Sequence, residues 1–277
     1  MLSASNNSVN RDDIALLVSG SPAGVDACVL KELAARADFV LAIDAGAEQL
    51  AHANITPDLL VGDFDSLSQN TLAFFESEGV PLQSYDPYKN ATDVELGVEV
   101  LSLRGYRRLV ATNVLGGRTD HALGSLGALA WAAQSDAIEV ALRDSKEVCY
   151  FVSSNASEKV LELHFEDGSG KGNHNLSSSL PGNGQNYLSQ NTNALSTDES
   201  SNKLPSLLFQ PMPRPRHVSL IAWGGPVTVS LQGAEWPLDH HALSPNSARG
   251  VSNILRSSVL RLEVHDGTGT ALLLLSY

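Results

Sequence analysis

The sequence predicts an α/β amino-terminal domain with a mostly parallel sheet, followed by a mostly β carboxyl-terminal sandwich domain that carries a disordered insertion. Three observations predict it. From residue 14 to about 142, short β-branched and leucine-rich runs alternate with segments of helical period, the pattern of parallel strands joined by crossover helices. The end of the chain holds short strands separated by turn residues, with no long helix between them. Between these parts, from about 167 to 215, lies a polar stretch with almost nothing from which to build a core. At 277 residues the chain accommodates two modest domains, expected at 12–145 and 146–277.

In the first domain "IALLVSG", "FVLAIDAG", "LLVGDFDS" and "RLVATNVLGG" read as strands, each ending in Gly, Asp or Ser where strand gives way to loop. In open α/β sheets ligands sit outside the carboxyl ends of the strands, so these endings are expected to meet along one edge. Residues 25–36, 68–78, 92–104 and 120–133 have helical spacing. The third opens with "TDVE", in which Thr92 and Glu95 fit a capping box and Asp93 falls in the first turn. In the second half "HVSLIAW", "VTVSL", "SSVLRLEVHDG" and "TALLLLS" read as strands, joined in the sandwich by "EVCYFV" and "KVLELHF" from before the insertion. Within the insertion "GSGKG" imitates part of a P-loop but lacks the earlier glycine and the following Ser or Thr.

The formal charge is −13, from 31 acidic against 18 basic residues, which argues against a nucleic-acid surface because phosphate neutralisation needs clustered Lys and Arg. Cys28 and Cys149 lie in apolar segments without metal-ligand spacing and are expected to be buried, reduced thiols. The amino terminus lacks the basic start and apolar stretch of a signal peptide, and no apolar run approaches the ~18 residues of a membrane span. A cytoplasmic protein with no membrane partner is expected.

Three segments carry candidate chemistry. In "GDFDSL" an extended strand end would point Asp63 and Asp65 the same way, offering two hard oxygen ligands that suit Mg²⁺; turn or cap roles ahead of a helix that Ser66 could cap are the alternative. Asp93 sits at a helix start, where interaction with the helix dipole would also explain it. In "NVLGGRTDHALGSLG" the paired Gly116 and Gly117 allow close backbone approach, and the following helix start offers N–H groups to phosphate. Arg118 adds a fixed cationic fork, while Asp120 could orient it, cap the helix or bind metal-associated water; a tight turn with a structural Arg–Asp pair is the plainer reading. His240 and His241 in "LDHHAL" are adjacent, poorly placed to share one ion, and read as a polar turn.

The ordered set "DAGA" (44–47), "PDLLVGDFDSL" (57–67), "KNATDVELGVEVL" (89–101) and "LGGRTDHALGSL" (115–126), followed by "GAEWPLDHHAL" and "RGVSN", resembles the thiamine pyrophosphokinase (thiamine diphosphokinase) family. The resemblance spans both domains but not the insertion. It implies transfer of the β,γ-diphosphate of ATP to the hydroxyethyl oxygen of thiamine, giving thiamine diphosphate and AMP. Asp63, Asp65 and Asp93 match the family's magnesium-binding positions and, with Asp120, form the implied catalytic set. The ATP side is assigned Asp44, Lys89, Thr92, Gly116, Gly117, Arg118 and His121, and the thiamine side Trp236, Ser252 and Asn253. The resemblance also implies a homodimer with sites shared across its interface. Ala45, Asn90 and Ser125 depart from the family's usual Gly, Asp and Asn.

Overall fold

The structure is a computed structural model that describes residues 9, 10, 12–85, 92–135, 138–156, 158–166, 208 and 212–277. Its first part alternates β1 (Ile14–Val18), α1 (Ala27–Ala34), β2 (Phe39–Ile43), α2 (Gly46–Ala53), β3 (Leu59–Gly62), α3 (Gln69–Ser77), β4 (Leu82–Ser84), α4 (Asp93–Leu103), β5 (Arg108–Thr112), α5 (Thr119–Ser135) and β6 (Glu139–Arg143). These strands are parallel in the order β4-β3-β2-β1-β5-β6. Every residue of β1 and β5 is buried. That explains their unbroken apolar runs, because a strand covered on both faces has no side to leave polar. Alternate residues divide between the layers: Leu16 and Val18 pack with Leu30, Leu50 and Phe75 from α1, α2 and α3, whereas Ala15 and Leu17 pack with Val98, Leu101 and Leu129 from α4 and α5.

The sheet does not stop at β6. β7 (Glu147–Ser153) turns back antiparallel to it, followed across the sheet by β13 (Thr270–Ser276) and β9 (His217–Trp223), giving nine strands. β10 (Val227–Gln232), β11 (Leu238–Leu243), β12 (Val259–Gly267) and β8 (Val160–His164) form a second, four-stranded antiparallel sheet in the order β11-β10-β12-β8. Tyr150, Leu220 and Leu273 of the large sheet share a core with Leu163, Val229 and Leu262 of the small one. The expected sandwich is present, and its larger face continues the parallel sheet. Residues 145 and 146 lie in the turn between β6 and β7, which Asp144 N closes by donating to Glu147 O at 2.9 Å.

Several local expectations change. The expected helices over 25–36, 68–78, 92–104 and 120–133 correspond to α1, α3, α4 and α5. α2 carries little helix-start signal, since its N-cap is Ala45 in helical conformation with no side-chain cap. α3 is capped by Ser68 rather than Ser66. Cys28 is exposed while Cys149 is buried, so only one thiol is sequestered. The 238–243 segment is a strand, not a turn, with His240 at φ 41° and its ring stacked on His265 at 3.9 Å. The expected insertion lies outside the described residues except for Leu208 and 212–215. Leu208 and Met212 are buried, and Met212 N donates to His164 O at 2.8 Å.

α3 is tied to α2 by one carboxylate. Glu48 accepts from Ser68 N at 2.7 Å and from Thr71 Oγ1 at 2.6 Å, while Ser68 Oγ accepts from Thr71 N at 3.2 Å. Burial pushes the Glu48 carboxyl up, but the hydrogen bonds from Thr71 and Ser68 outweigh it and leave it below its usual value. A depressed folded-state value means that the network stabilises the protein above the unfolded carboxyl range, about pH 4.3, and is lost as pH falls through the folded value. Glu48→Gln is expected to cost about 1 kcal/mol at pH 7. It should also flatten the loss of stability between pH 5 and pH 3, read from urea unfolding across that range; an unchanged acid dependence would remove Glu48 from this role.

Candidate active site

The carboxyl ends of β1, β2, β3 and β5 open onto one edge of the sheet. β2 flanks β1 on one side and β5 on the other, so the strand order reverses at β1/β5, the point where open α/β sheets leave a ligand crevice.

On the β3 side the strand ends at Gly62, with φ 153°. A Cβ on Gly62 would lie 1.6 Å from Asp44 Oδ1, so the glycine is required by the carboxylate beside it. Asp44 is buried at the end of β2; its N–H donates to Val61 O at 3.0 Å and its Oδ1 accepts from Phe64 N at 3.1 Å. Phe64 takes φ 63°, a left-handed conformation costly for a bulky residue, and the Asp44 bond holds it there. Asp63 and Asp65 are therefore brought together by a turn, not by the extended i, i+2 geometry expected. Asp65 N donates to Asp63 Oδ1 at 3.1 Å. The hydrogen bond and charge of Asp63, with a smaller contribution from Asp93, raise the Asp65 carboxyl above its usual value. Asp65 thus feels repulsion from both Asp63 and Asp93. Among the described residues neither Asp63 nor Asp65 has a basic partner, and no group of three or more His, Cys, Asp or Glu side chains is spaced to hold a metal ion.

Asp93 stands in the first turn of α4 behind a complete capping box: Thr92 Oγ1 accepts from Glu95 N at 3.2 Å and Glu95 Oε2 accepts from Thr92 N at 2.7 Å. The Thr92 hydroxyl serves the helix start. Lys89 and Asn90 lie outside the described residues.

Across the crevice, Gly116 and Gly117 have φ 102° and 67°. Side chains there would meet Ala23 Cβ at 2.6 Å and Pro22 Cγ at 2.5 Å, so the paired glycines let the β5 loop lie against the β1 loop. Next in the chain, Arg118 and Asp120 form a two-pronged ion pair, Nη2 to Oδ2 at 2.6 Å and Nε to Oδ1 at 3.2 Å. Both are well exposed. The pair raises the guanidinium and lowers the Asp120 carboxyl. Asp120 orients Arg118 at the start of α5, where exposed His121 also sits, while Ser125 is turned into the core.

Sequence reading missed Asp144 and Ser21, which set the path of this loop. Asp144 accepts from Asn113 N at 2.6 Å, Leu115 N at 3.3 Å and Thr112 Oγ1 at 3.4 Å. Burial pushes its carboxyl up, and the bonds from Asn113, Leu115 and Thr112 pull it back only in part. The available signal was an acidic residue directly after an apolar strand, in "VALRD".

The third group lies on the small-sheet side. Trp236 is 58 % exposed in the connection between β10 and β11. Asn253, 4 % exposed, holds it: Oδ1 accepts from Trp236 N at 3.1 Å and Nδ2 donates to Trp236 O at 2.8 Å. Backbone bonds between Asn253 and Val218 attach the pair to β9. Ser252 has φ 62° and donates its N–H to Ser219 Oγ at 3.0 Å.

Residues 30–142 match the family model described as the thiamin pyrophosphokinase catalytic domain. Residues 208–268 match that of the thiamin pyrophosphokinase vitamin B1 binding domain. No curated protein matches the chain significantly. Among solved structures, the thiamine pyrophosphokinase of Bacillus subtilis is similar in fold, with a TM-score of 0.67 and 17 % identity over 95 % of this chain and 99 % of that one. The yeast thiamin pyrophosphokinase aligns with a TM-score of 0.64 and 11 % identity over 97 % of this chain and 88 % of that one. For the enzyme of Candida albicans the values are 0.61 and 15 %, over 96 % and 89 %. With two family matches in the expected order, together spanning more than half of its length, the chain belongs to the thiamin pyrophosphokinase family.

Proposed function

We infer that this protein is a thiamine diphosphokinase, transferring the β,γ-diphosphate of ATP to thiamine. The observation that carries the reading is the juxtaposition at one sheet edge: an acidic turn and a glycine–arginine loop flank the β1/β5 switch point, in a chain that matches both the catalytic and the vitamin B1 binding domains. ATP as co-substrate suits the acceptor's single hydroxyl and the two-phosphate group to be moved. The thiamine hydroxyl oxygen attacks the β-phosphorus and gives up its proton to solvent, the bond from that phosphorus to the α,β-bridging oxygen breaks, and AMP leaves with the electron pair of that bond.

The chain's own residues position and neutralise. Gly116 and Gly117 permit the triphosphate to approach backbone N–H groups near the start of α5. Arg118, oriented by Asp120, offers two parallel donors to phosphate oxygens, and His121 adds polar contact at the same helix start. Asp44 shapes the acidic turn from beneath, Thr92 caps α4, and Lys89, which precedes that helix in the sequence, completes the proposed ATP-side set. Half-buried Asp63 and exposed Asp65, which repel one another, with Asp93 in electrostatic range, offer the hard carboxylate oxygens that Mg²⁺ takes, and would have to be drawn closer to share one ion. When bound, the ion supplies charge neutralisation on the phosphate chain. Trp236, set by Asn253, the chain neighbour of Ser252, offers an apolar face to the thiamine rings. We assign the catalytic role to residues 12–145 and thiamine binding to 146–277, as a functional division laid over a continuous sheet. A homodimer sharing its sites, working in the cytoplasm, completes the proposal; exposed Trp236, Val251 and Ile254 give the thiamine side an apolar surface for such sharing.

Purified protein with thiamine, ATP and Mg²⁺ is expected to yield thiamine diphosphate and AMP in equal amounts by chromatography. ADP or free phosphate without a thiamine product would replace this reading with that of a phosphohydrolase. Asp65→Ala is expected to lower turnover about 100-fold or more with the circular dichroism spectrum unchanged; wild-type turnover would take Asp65 out of the site.

A further inference from the structure

The loop assigned above to the ATP phosphates is gripped from two sides. On the β6 side, Asp144 holds the N–H groups of Asn113 and Leu115. On the β1 side, Ser21 takes the carbonyls of the same two residues, donating from N to Asn113 O at 3.1 Å and from Oγ to Leu115 O at 2.5 Å. Asn113, at φ 57°, is where the chain leaves β5, and its Nδ2 donates to Ser19 O at 2.6 Å. Gly116, Gly117 and Arg118 follow at once, so their placement is set by this grip.

We propose that Asp144 is a positioning residue for diphosphate transfer, holding residues 113–118 in the shape that receives the phosphates of ATP; this rests on the function proposed above. The role is geometric. A carboxylate beside a polyanion site opposes binding through its charge, so a purely electrostatic account predicts that removing the charge tightens ATP binding. Positioning predicts the opposite sign. In Asp144→Asn one accepting oxygen becomes an amide donor, which must face an N–H that needs an acceptor, so one of the two backbone bonds is lost. In Asp144→Glu the charge stays and the oxygens move by about one methylene, on a scale at which misplacing a binding group costs up to ~100-fold.

The test compares steady-state kinetics of wild type, Asp144→Asn, Asp144→Glu and Arg118→Gln, with direct titration of a non-hydrolysable ATP analogue. Both Asp144 variants are expected to raise KM for ATP and the analogue Kd about tenfold, with KM for thiamine within about twofold of wild type. A lowered KM for ATP, or equal changes for both substrates, or a drop in unfolding midpoint with unchanged ATP parameters, would overturn the proposal. If Asp144→Asn does not fold, Asp144→Glu decides by the same criteria. Arg118→Gln separates the two levels: if it weakens analogue binding while the Asp144 variants do not, the positioning role alone falls. If Arg118→Gln binds the analogue as wild type does, the phosphate assignment of the loop falls and the positioning role with it.

Discussion

The acidic edge of this protein depends on one contact, that of the Asp44 carboxylate with the turn after β3. The carboxylate fills the space that a side chain on Gly62 would need, and the Phe64 N–H that it accepts fixes a left-handed residue between Asp63 and Asp65. A buried carboxylate next to two others is unfavourable unless it is compensated. Here the compensation comes from a charge-assisted bond to a backbone N–H, of a kind contributing about 1.5–3 kcal/mol, and from the positive end of α2, which starts two residues later. Glu48, one helical turn further on, fastens α3 to the same helix. The acidic turn is thereby held at both ends by side chains of the β2–α2 unit.

The same device recurs around the parallel sheet. Asp38 accepts from Ile14 N at 2.8 Å at the entry to β1, Asp58 from Val40 N at 2.7 Å at the entry to β2, and Asp144 grips the exit of β5. Strand ends leave backbone N–H groups without a ladder partner, and a short carboxylate from the next loop reaches them. Part of the chain's acidity is therefore architectural, which bears on why a charge of −13 accompanies the proposed site for a polyanion.

Continuity of the large sheet joins the segments that match the catalytic and the vitamin B1 binding family models. β7, β13 and β9 extend the catalytic sheet, and Asn253 pairs with Val218 of β9 while setting Trp236. The Trp236 group is thus carried on the sheet whose other end carries the acidic turn. The small sheet closes the apolar face that this extension would otherwise expose.

β1, β2, β3 and β5, the capping box at Thr92, the acidic pair and the glycine–arginine loop were legible in the sequence because each rests on neighbours within a few residues: apolar runs, a cap three positions from its partner, glycines where the chain must turn. α2 was not, since it starts without a capping side chain and is held by packing of Ala47 and Leu50 in the core. Nor were the Asp44–Gly62, Asp144–Asn113 and Asn253–Trp236 contacts, which join residues 18, 31 and 17 positions apart. By itself the sequence determined most of the strands and helices, those with apolar runs or capping residues of their own, and which side chains stand at their ends. Tertiary structure alone decided that the sheet runs on through β9 and that Asp63 and Asp65 converge through a turn. Sheet order and turn shape are set by hydrogen bonds between segments distant in sequence, and local propensity carries no information about those partners.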